Sequence, residues 1–295
     1  MEHQEKNIEN CPICGCENNK HFLSAIDHNV SGDSFNIVIC TDCNFKFTNP
    51  IPSEETIGKY YKSENYISHS GTKKGLINYI YHKVRDRQLK MKLNLISSLT
   101  KNKSLLDIGC GTGEFINLCK NKSWEVLGLE PDSDARELAK KNYNIDLLEQ
   151  DNLYSIKEKK VSVITLWHVL EHVYNLEKDL KQYAKILKDN GYLIIAVPNC
   201  NSYDAKQYKE HWVAYDLPIH LYHFTQKDIN SLANKTGFKL IKTVPLIYDA
   251  FYISMLSEKK KGGNFLKALY LGLKSNLKAK KDNNYSSLIY ILQKN

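Results

Sequence analysis

The sequence predicts an α/β fold, in which a parallel sheet with covering helices follows a small metal-binding module. The first observation is a short apolar strand at residues 105–108 that ends in three glycines and leads into a helix start. The second is that further apolar runs alternate with helical patterns up to residue 244. The third is a pair of Cys-x-x-Cys motifs within the first 43 residues. A chain of 295 residues can hold one large α/β domain and such a module.

Composition and charge distribution narrow the range of functions. The formal net charge is +8, but residues 257–282 hold eight lysines against two acidic residues. Because the rest of the chain is nearly neutral, the composition does not support a long basic groove for nucleic acid. No apolar run approaches the ~20 residues of a membrane-spanning helix. The N-terminus shows no apolar signal region, so we expect a cytoplasmic location.

Two cysteine pairs have metal-ligand spacing, Cys11 with Cys14 and Cys40 with Cys43. Each pair can form a turn that directs two thiolates at one ion, and four sulfurs suit tetrahedral zinc. Residues 1–50 are therefore predicted to form a zinc-ribbon module with a structural Zn²⁺ site. A redox role for one pair is an alternative, as is replacement of one cysteine by His21 or His28; Cys16 is expected to be a spare thiol.

Residues 51–100 are predicted to join this module to the core. Prolines at 50 and 52 mark a linker, and Tyr60, Tyr61 and Tyr66 follow it. These tyrosines form either a packing cluster or part of a lid over a ligand. Residues 76–99 carry apolar side chains at helical spacing, which predicts a long helix that leads into the core.

The glycine turn at residues 109–113 is the centre of the predicted ligand site. Strand, glycine turn and helix together form the entry to a nucleotide-binding βαβ unit, and glycines let a ligand approach the main chain closely. A dinucleotide fingerprint would have Gly or Ala where this chain has Glu114. Asp107 before the turn would repel a pyrophosphate, but it suits a ligand that carries an ammonium and a sulfonium group.

Acidic residues follow the second and third predicted strands. Glu130 ends the strand that begins at residue 125, where a carboxylate can accept hydrogen bonds from both hydroxyls of a ribose. The alternative role for an acid here, at the N-terminus of the next helix, could fall to Asp132. The third strand is predicted at residues 145–149, and Asp151 or its competitor Gln150 could bind an adenine amino group.

The fourth predicted strand, 161–166, runs into Trp167 and His168. His168 is a candidate site residue because ligands bind beyond the carboxyl ends of such strands. The segment 168–172 reads His-x-x-Glu-His, which matches an inverted zinc-hydrolase motif. That motif needs a long helix and a further ligand downstream, whereas here a strand leads directly into it. A catalytic metal at this segment is therefore disfavoured.

An irregular insertion at residues 200–225 follows the fifth strand, predicted at 192–197 after a helix at 176–188. It is rich in aromatic residues and histidines, and such long loops are often functional. Strands are also predicted at 238–244 and, antiparallel, at 286–292. Between these two, an amphipathic helix predicts either core packing with a solvated basic face, or docking to a lipid surface or an anionic carrier. Its apolar residues are Phe265, Leu266, Leu269, Leu273 and Leu277.

The pattern Asp-x-Gly-x-Gly-x-Gly at 107–113, the segment 166–172 and the Pro-Asn pair at 198–199 resemble the class I S-adenosylmethionine (SAM) methyltransferases over about residues 75–295. The resemblance implies SAM as cofactor and a Rossmann-like, seven-stranded methyltransferase core at residues 101–295, with residues 51–100 as a possible lid. The expected cofactor-binding residues are Asp107, Gly109, Cys110, Gly111, Gly113, Glu130, Pro131, Asp151, Trp167 and His168.

A four-cysteine module joined to such a core resembles a subgroup found in bacterial cell-surface polysaccharide and modified-sugar pathways. In that subgroup the insertion often reads Trp, then Asp-x-Pro-Arg-His-Leu-x-His-Phe. This chain has Trp212 and then residues 216–224, with Ile219 in place of the arginine. The resemblance implies O-methylation of a saccharide, a nucleotide-sugar or a related small metabolite in cell-envelope polysaccharide biosynthesis.

The SAM methyl group is already activated, so the enzyme must align the acceptor and exclude water. A hydroxyl acceptor also benefits from a base, and the candidates are His168, His220 and His223. The insertion leaves the sheet at the edge that carries the glycine turn, so it is predicted to form the acceptor wall. The expected acceptor contacts are Tyr60, Tyr61, Trp212, Tyr215 and Asp216.

The alternatives to this function are an RNA methyltransferase, and a protein that binds SAM without catalysis. Peripheral membrane contact through residues 259–281 is a further expectation.

Overall fold

The computed structural model describes residues 5–61 and 76–295, with side chains in the second range described from residue 82 onward. Tyr66 of the predicted tyrosine cluster lies outside the described residues. The strands are β1 (Glu5–Lys6), β2 (Asn19–Ile26), β3 (Ser34–Cys40), β4 (Lys46–Thr48), β5 (Ile51–Pro52), β6 (Ser104–Ile108), β7 (Glu125–Leu129), β8 (Val161–Trp167), β9 (Leu187–Pro198), β10 (Tyr222–His223), β11 (Phe238–Pro245) and β12 (Ser287–Lys294).

The α-helices are α1 (Leu76–Leu99), α2 (Glu114–Lys120), α3 (Ser133–Tyr143), α4 (Leu176–Ile186), α5 (Tyr203–Tyr208), α6 (Gln226–Lys235), α7 (Asp249–Lys261) and α8 (Phe265–Asp282). Short 3-10 helices cover Ile57–Tyr61, Gln150–Ser155, Leu170–His172, Lys209–His211 and Val213–Tyr215. The long helix α1 confirms the helix predicted at residues 76–99. Among the described helices, none combines the length and the apolar character needed to cross a membrane.

The central sheet has six strands in the order β11-β12-β9-β8-β6-β7. Strands β7, β6, β8 and β9 are parallel, while β12 runs antiparallel between β9 and β11. Strand β6 is fully buried, since it lies between β7 and β8 and contributes an apolar run to the core. A parallel sheet with this antiparallel edge confirms the predicted α/β, Rossmann-like class.

The strand predicted at residues 145–149 is reduced to a single parallel bridge, between Leu148 and Leu129. Leu148 is 38% exposed, so this edge of the sheet has little apolar surface to bury. The chain then turns into the 3-10 helix at Gln150–Ser155. The core therefore has six strands and one bridge, instead of the seven strands expected.

The N-terminal sheet has four strands in the order β10-β4-β3-β2. Its fourth strand, β10, comes from the 200–225 insertion and pairs antiparallel with β4, with Tyr222 opposite Phe47 and His223 opposite Lys46. The rings of Phe45, Phe47, Tyr222 and Phe224 pack together with centroid distances of 5.7 to 6.1 Å. The insertion and the cysteine-bearing segment thus share one sheet and one apolar cluster.

Helix α8 packs through a different face from the one predicted. Its buried residues are Ala268, Leu271, Gly272, Ser275 and Ala279. A Cβ atom at Gly272 would lie 2.9 Å from Phe251 and 3.1 Å from the Ala250 carbonyl oxygen of α7, so the close approach of the two helices requires small residues. The large apolar residues expected in the core are 40–77% exposed. The expectation of core packing for Phe265, Leu266, Leu269, Leu273 and Leu277 is therefore wrong.

Candidate functional site

The glycine turn after β6 provides an open approach to the main chain. Gly109, Gly111 and Gly113 have φ values of 62°, 55° and 80°, which disfavour other residues. A Cβ at Gly109 would lie 2.5 Å from Val169 Cγ2, whereas a Cβ at Gly111 would have no heavy atom within 4 Å. The space in front of Gly111 is therefore available to a ligand that contacts the backbone.

The carboxylate of Glu130 faces this turn from the end of β7. Its Oε2 accepts a 2.7 Å hydrogen bond from the Gly111 backbone, and its Oε1 accepts one of 3.1 Å from Asp132. Burial raises the pKa of Glu130. Because a carboxylate can accept about four hydrogen bonds, both oxygens can still accept from ribose hydroxyls. Asp132 caps the N-terminus of α3 by accepting a hydrogen bond from the Ala135 backbone. The acid at the start of that helix is therefore Asp132 and not Glu130.

Asp107 lies buried beneath the turn and accepts a 2.5 Å hydrogen bond from Thr165 Oγ1. Burial raises its pKa to about 7, although Thr165 and the positive charge of Lys92 act in the opposite direction. Lys92 of α1 places its Nζ 4.4 Å from the ring centroid of Trp167. The negative charges of Asp107, Asp249 and Glu114 also act on Lys92. An aromatic face among carboxylates attracts a cation, and here that cation is the ammonium group of Lys92.

Three further residues predicted to bind the cofactor are Cys110, Pro131 and Asp151. The Sγ atom of Cys110 turns toward β7, where it lies 3.4 Å from the Leu129 carbonyl oxygen. The carbonyl of Pro131 accepts a 2.8 Å hydrogen bond from Arg136. Asp151 is exposed in the first turn of the 3-10 helix that replaces the third strand. Their contacts with a cofactor stay predictions.

His168 follows β8 in a left-handed backbone conformation, with φ at 59°, and its N–H donates to the Ala196 carbonyl oxygen at 2.9 Å. Its Nδ1 lies 3.5 Å from Glu171 Oε1, and its Nε2 lies 3.4 Å from Asp249 Oδ2. Burial works to lower the pKa of His168, but the two carboxylates outweigh it and raise the pKa to about 9. His168 is therefore cationic at neutral pH.

Glu171, His172 and His220 form a buried group next to His168. One side-chain ligand atom from each lies within 4.8 Å of the others. The His172 and His220 rings meet edge to face with centroids 4.7 Å apart. The group combines residues from two segments that are distant in sequence. The Leu221 N–H of the insertion joins these segments by donating to the Glu171 carbonyl oxygen at 2.8 Å. The hydroxyl of Tyr61, a predicted acceptor contact, lies 3.0 Å from His172 Nδ1.

The other predicted acceptor residues are mostly packed in the interior. Trp212 is 2% exposed and donates from Nε1 to Asp204, and Tyr215 is 3% exposed against the Trp212 ring. Tyr60 is buried edge to face on Phe35. The burial of these rings argues against the predicted stacking on an acceptor. Asp216 is half-buried and accepts a 3.0 Å hydrogen bond from Asn29.

His223 lies in β10 of the N-terminal sheet, where it pairs with Lys46 of β4. Thr48 donates its hydroxyl to the His220 carbonyl oxygen at 2.6 Å, so the ring Nε2 of His223, 3.1 Å from the same hydroxyl, must donate to it. The His223 ring also meets the Tyr215 ring edge to face. A donating and fully enclosed imidazole is poorly suited to take a proton from an acceptor, so this geometry argues against His223 as the base.

Sequence reasoning missed Lys92, Glu171 and Asp249. Lys92 and Asp249 carry no local signal, because each reaches the site only through the packing of its helix. Glu171 was part of a recognised segment, but its role depends on His220, which only the folded insertion brings close. A search for polar residues within otherwise apolar buried segments could have found Glu171.

The sulfur atoms of the four predicted zinc ligands converge in the N-terminal sheet. Cys11 and Cys43 have their Sγ atoms 3.5 Å apart, as do Cys14 and Cys40, and the four sulfurs form one group. Sulfurs at about 2.3 Å from a tetrahedral ion would lie about 3.8 Å apart. The four thiols therefore fit a Zn²⁺ ion. Cys16 lies outside this group and bonds with Asn18.

The open face of Gly111 and the carboxylate of Glu130 lie at the carboxyl edge of the sheet, which is where nucleoside cofactors bind in folds of this kind. Comparison with known families agrees, since residues 81–243 match the family model described as a methyltransferase domain. The match covers more than half of the chain, so the chain belongs to this methyltransferase family.

Two relatives illustrate the match. The chain is 27% identical over 173 residues to a protein of Invertebrate iridescent virus 6 named as methyltransferase 235L, covering 54% of this chain and 64% of the relative. It is 29% identical over 159 residues to the ubiquinone biosynthesis O-methyltransferase of Pelagibacter ubique, covering 50% of this chain and 65% of the relative. The chain thus spans somewhat less than two thirds of the length of either relative.

Solved structures share the fold. The geranyl diphosphate methyltransferase in complex with GPP and sinefungin superposes with a TM-score of 0.51 at 11% identity, over 72% of this chain and 78% of that one. The StiE O-MT domain gives a TM-score of 0.52 at 15% identity, over 75% of this chain and 78% of that one. At this level of identity the likeness concerns the fold.

Proposed function

We propose that this chain is a SAM-dependent methyltransferase that methylates an oxygen atom of a saccharide, a nucleotide-sugar or a related small metabolite. One observation carries the proposal: the carboxyl edge of the sheet at Gly111 and Glu130, where SAM would bind, adjoins a largely buried group of titratable side chains at the end of β8. Membership of the methyltransferase family and the name of one relative as an O-methyltransferase support it. The saccharide class and the cell-envelope role rest on the resemblance of the cysteine module and the insertion.

The residues of the cofactor site fit the parts of SAM by their chemistry. Glu130 would accept hydrogen bonds from the ribose, Gly111 would allow close approach, and Asp107 would stabilise the positive charges. When bound, SAM supplies a methyl group that is already attached to a good leaving group. The protein then has to hold the acceptor oxygen in line with the sulfur–methyl bond.

The acceptor hydroxyl also has to lose its proton. His168 is cationic at neutral pH, because Glu171 and Asp249 raise its pKa, so it cannot take a proton in that state. Burial lowers the pKa of His220, so this ring is neutral. Its Nδ1 lies 2.9 Å from the Ala214 carbonyl oxygen, which leaves Nε2 unprotonated. We therefore propose His220, rather than His168, as the group that takes the proton of the acceptor hydroxyl.

The four cysteines of the N-terminal sheet are proposed to hold a structural Zn²⁺ ion. All four positions of a tetrahedral ion are filled by protein sulfurs in this arrangement, which is typical of structural sites. The ion would stabilise the cysteine-bearing turns, because binding it adds free energy to the folded state.

We also propose that α8 docks on an anionic lipid surface. Its exposed apolar face comprises Phe265, Leu266, Leu269, Tyr270, Leu273 and Leu277. Helix α8 carries five lysines and one acidic residue, Asp282. A second copy of the chain would bring these lysines near one another, whereas anionic headgroups would pair with them. Docking would place the site near an acceptor carried on a lipid.

A radiolabelled-SAM assay tests the proposed activity. Purified protein is incubated with labelled SAM and a panel of sugar nucleotides, phosphorylated sugars and RNA, and Glu130→Ala serves as the cofactor-site control. We expect label transfer to a sugar-containing acceptor, lost in the variant. Transfer to RNA instead, or binding of SAM with no transfer to any member of the panel, would contradict the proposal.

A further inference from the structure

We propose that Glu171, His172 and His220 form a second metal site, separate from the four cysteines, which takes a divalent transition cation of the kind that prefers imidazole and carboxylate ligands. The ligand atoms of the three side chains lie within 4.8 Å of one another. Two imidazoles and one carboxylate leave further positions of an ion open, as in catalytic rather than structural metal sites.

Both imidazoles are held in the tautomer that a metal ligand requires. The Nδ1 of His220 lies 2.9 Å from the Ala214 carbonyl oxygen, and the Nδ1 of His172 lies 3.0 Å from the Ile219 carbonyl oxygen. A carbonyl oxygen only accepts, so the Nδ1 of His220 carries the hydrogen and its Nε2 presents a lone pair. The same tautomer of His172 requires that its Nδ1 hydrogen be shared between the Ile219 carbonyl oxygen and the Tyr61 hydroxyl, which is also 3.0 Å away. Histidines that bind metals commonly donate their second ring nitrogen to a backbone carbonyl in this way.

Glu171 supplies an independent observation. Glu171 is 0% exposed, and neither of its carboxylate oxygens has a hydrogen-bond partner among the described residues. The nearest cationic group is His168, whose Nδ1 stands 3.5 Å from Oε1. A buried charge is costly unless it is both paired and hydrogen-bonded. The cationic His168 pairs with Oε1, and a bound cation would add the contacts that the two carboxylate oxygens still lack. A divalent cation between Glu171 and the two lone pairs would satisfy all three groups.

A short helix and one backbone hydrogen bond bring the three ligands together. Glu171 and His172 are adjacent in the 3-10 helix Leu170–His172, directly after β8. The hydrogen bond from the Leu221 N–H to the Glu171 carbonyl oxygen fixes the insertion alongside that helix, so His220 lies next to Glu171. The histidine of the insertion is therefore the downstream ligand whose absence made a metal at the His-x-x-Glu-His segment unfavourable from the sequence.

The consequence for methyl transfer rests on the proposed function. A hydroxyl oxygen bound to the cation would lose its proton more readily. The oxygen would then form a bond to the SAM methyl carbon while the bond from that carbon to sulfur breaks. The products are a methyl ether, S-adenosylhomocysteine and one proton released to solvent. Glu171 and His220 would act by holding the cation at the acceptor. His220 would then not take the proton itself, because its Nε2 lone pair would be bound to the cation.

Cobalt titration of the full chain tests the site. Protein already loaded with zinc at the cysteines is titrated with Co²⁺, and the visible spectrum and the melting temperature are followed. We expect one additional equivalent of Co²⁺, a weak d–d spectrum without thiolate charge transfer, and a rise in melting temperature. The variant Glu171→Gln, which keeps the side-chain shape, should weaken Co²⁺ binding at least tenfold, and so should His220→Ala.

Glu210→Gln and His211→Ala are the matched controls, since this pair lies in the same insertion outside the group and should leave Co²⁺ binding unchanged. Co²⁺ bound only with thiolate charge transfer, or bound equally well by a folded Glu171→Gln variant, would overturn the metal site. Methyl transfer at an unchanged rate without the second equivalent would reject the role of the cation in the reaction, while the proposed function stands. Co²⁺ binding without transfer to any acceptor would support the site and reject the proposed function.

Discussion

The backbone N–H of Gly111 donates a 2.7 Å hydrogen bond to Oε2 of Glu130. This contact joins the turn after β6 to the end of β7, so the two parts of the cofactor site hold each other in place. The carboxylate is thereby oriented before any ligand arrives, and less ordering is required when a ribose binds.

Substitutions at Gly111 and Glu130 should weaken SAM binding to different degrees. Gly111→Val should abolish it, because a branched side chain is strained at a φ of 55° and fills the open space. Glu130→Ala should cost roughly 1–3 kcal/mol through the loss of charged hydrogen bonds. Calorimetry with SAM measures both effects, with circular dichroism as the control for folding. An unchanged SAM affinity in Glu130→Ala would remove the ribose assignment.

SAM affinity should depend on pH through Asp107. Its folded-state pKa is raised to about 7 by burial, so the carboxyl group is largely neutral below that pH and attracts a cation less. Affinity should therefore fall as the pH is lowered from 8 to 6. Calorimetric titrations across this range in wild type and in Asp107→Asn provide the measurement. The pH dependence should be much reduced in the variant, and an equal dependence in both proteins would contradict the assignment.

The same group should affect stability with a definite sign. A carboxyl group whose pKa rises from 3.8 to about 7 on folding contributes stability that is full below pH 3.8 and is lost as the pH rises through 7. Asp107→Asn keeps an acceptor for Thr165 and avoids the buried charge. The variant should therefore melt at a higher temperature than wild type at pH 8, and the difference should shrink toward pH 5. A lower melting temperature at pH 8 would show that the charge is compensated.

Histidine variants should separate binding from turnover. His220→Ala should keep SAM affinity and lose about 10²–10⁴ in rate, whereas the control His211→Ala should keep both. The measurements are single-turnover label transfer and SAM calorimetry on the same preparations. Near-normal turnover in His220→Ala, and also in His168→Ala, would mean that transfer depends on positioning of an acceptor that is already an anion.

The cysteine group should retain about one zinc per chain in freshly prepared, reduced protein. Cys40→Ser should release it, and elemental analysis measures the loss. Because β10 pairs with β4, zinc loss should increase hydrogen exchange in β10 as well as in β3 and β4, while SAM affinity changes little. Exchange confined to residues 5–52 would show that the shared sheet is not cooperative.

The exposed face of α8 should direct the protein to anionic vesicles. Binding to vesicles that contain phosphatidylglycerol should exceed binding to neutral vesicles and should fall with salt. Leu266→Glu with Leu273→Glu should abolish sedimentation with vesicles, whereas Leu138→Glu, at another exposed leucine, should not. A concentration-dependent dimer that the double variant disrupts, with no vesicle binding, would identify a second copy as the occupant instead.

The sequence predicts those parts of the site whose signals are local. Strand, glycine turn and helix form one continuous segment, so the positions of Gly111 and Glu130 follow from spacing and from the geometry of βαβ units. The exposed face of α8 could not be predicted, because helical periodicity identifies two faces and only the packing of Gly272 on α7 decides which is buried. Aromatic content in the insertion likewise does not reveal that Trp212 and Tyr215 pack on each other.

The surroundings of three polar residues depend entirely on long-range packing. These residues are Lys92, Glu171 and Asp249. Each is an ordinary polar residue in its own segment, and its chemistry arises from neighbours contributed by other elements. Lys92 meets Trp167 only because α1 lies against the central sheet, and Glu171 meets His220 only through the folded insertion. Periodicity and spacing carry no information about such encounters.

The pairing of β10 with β4 also bears on how this chain could be recombined with its relatives. The segment with the cysteines and the insertion near residue 220 are far apart in sequence, yet their backbones are hydrogen-bonded edge to edge. A chimera that exchanges only the first 50 residues would leave β10 against a foreign partner, next to His220. The two segments therefore form a single transplantable unit, and acceptor preference should transfer between homologous chains only when both are moved together.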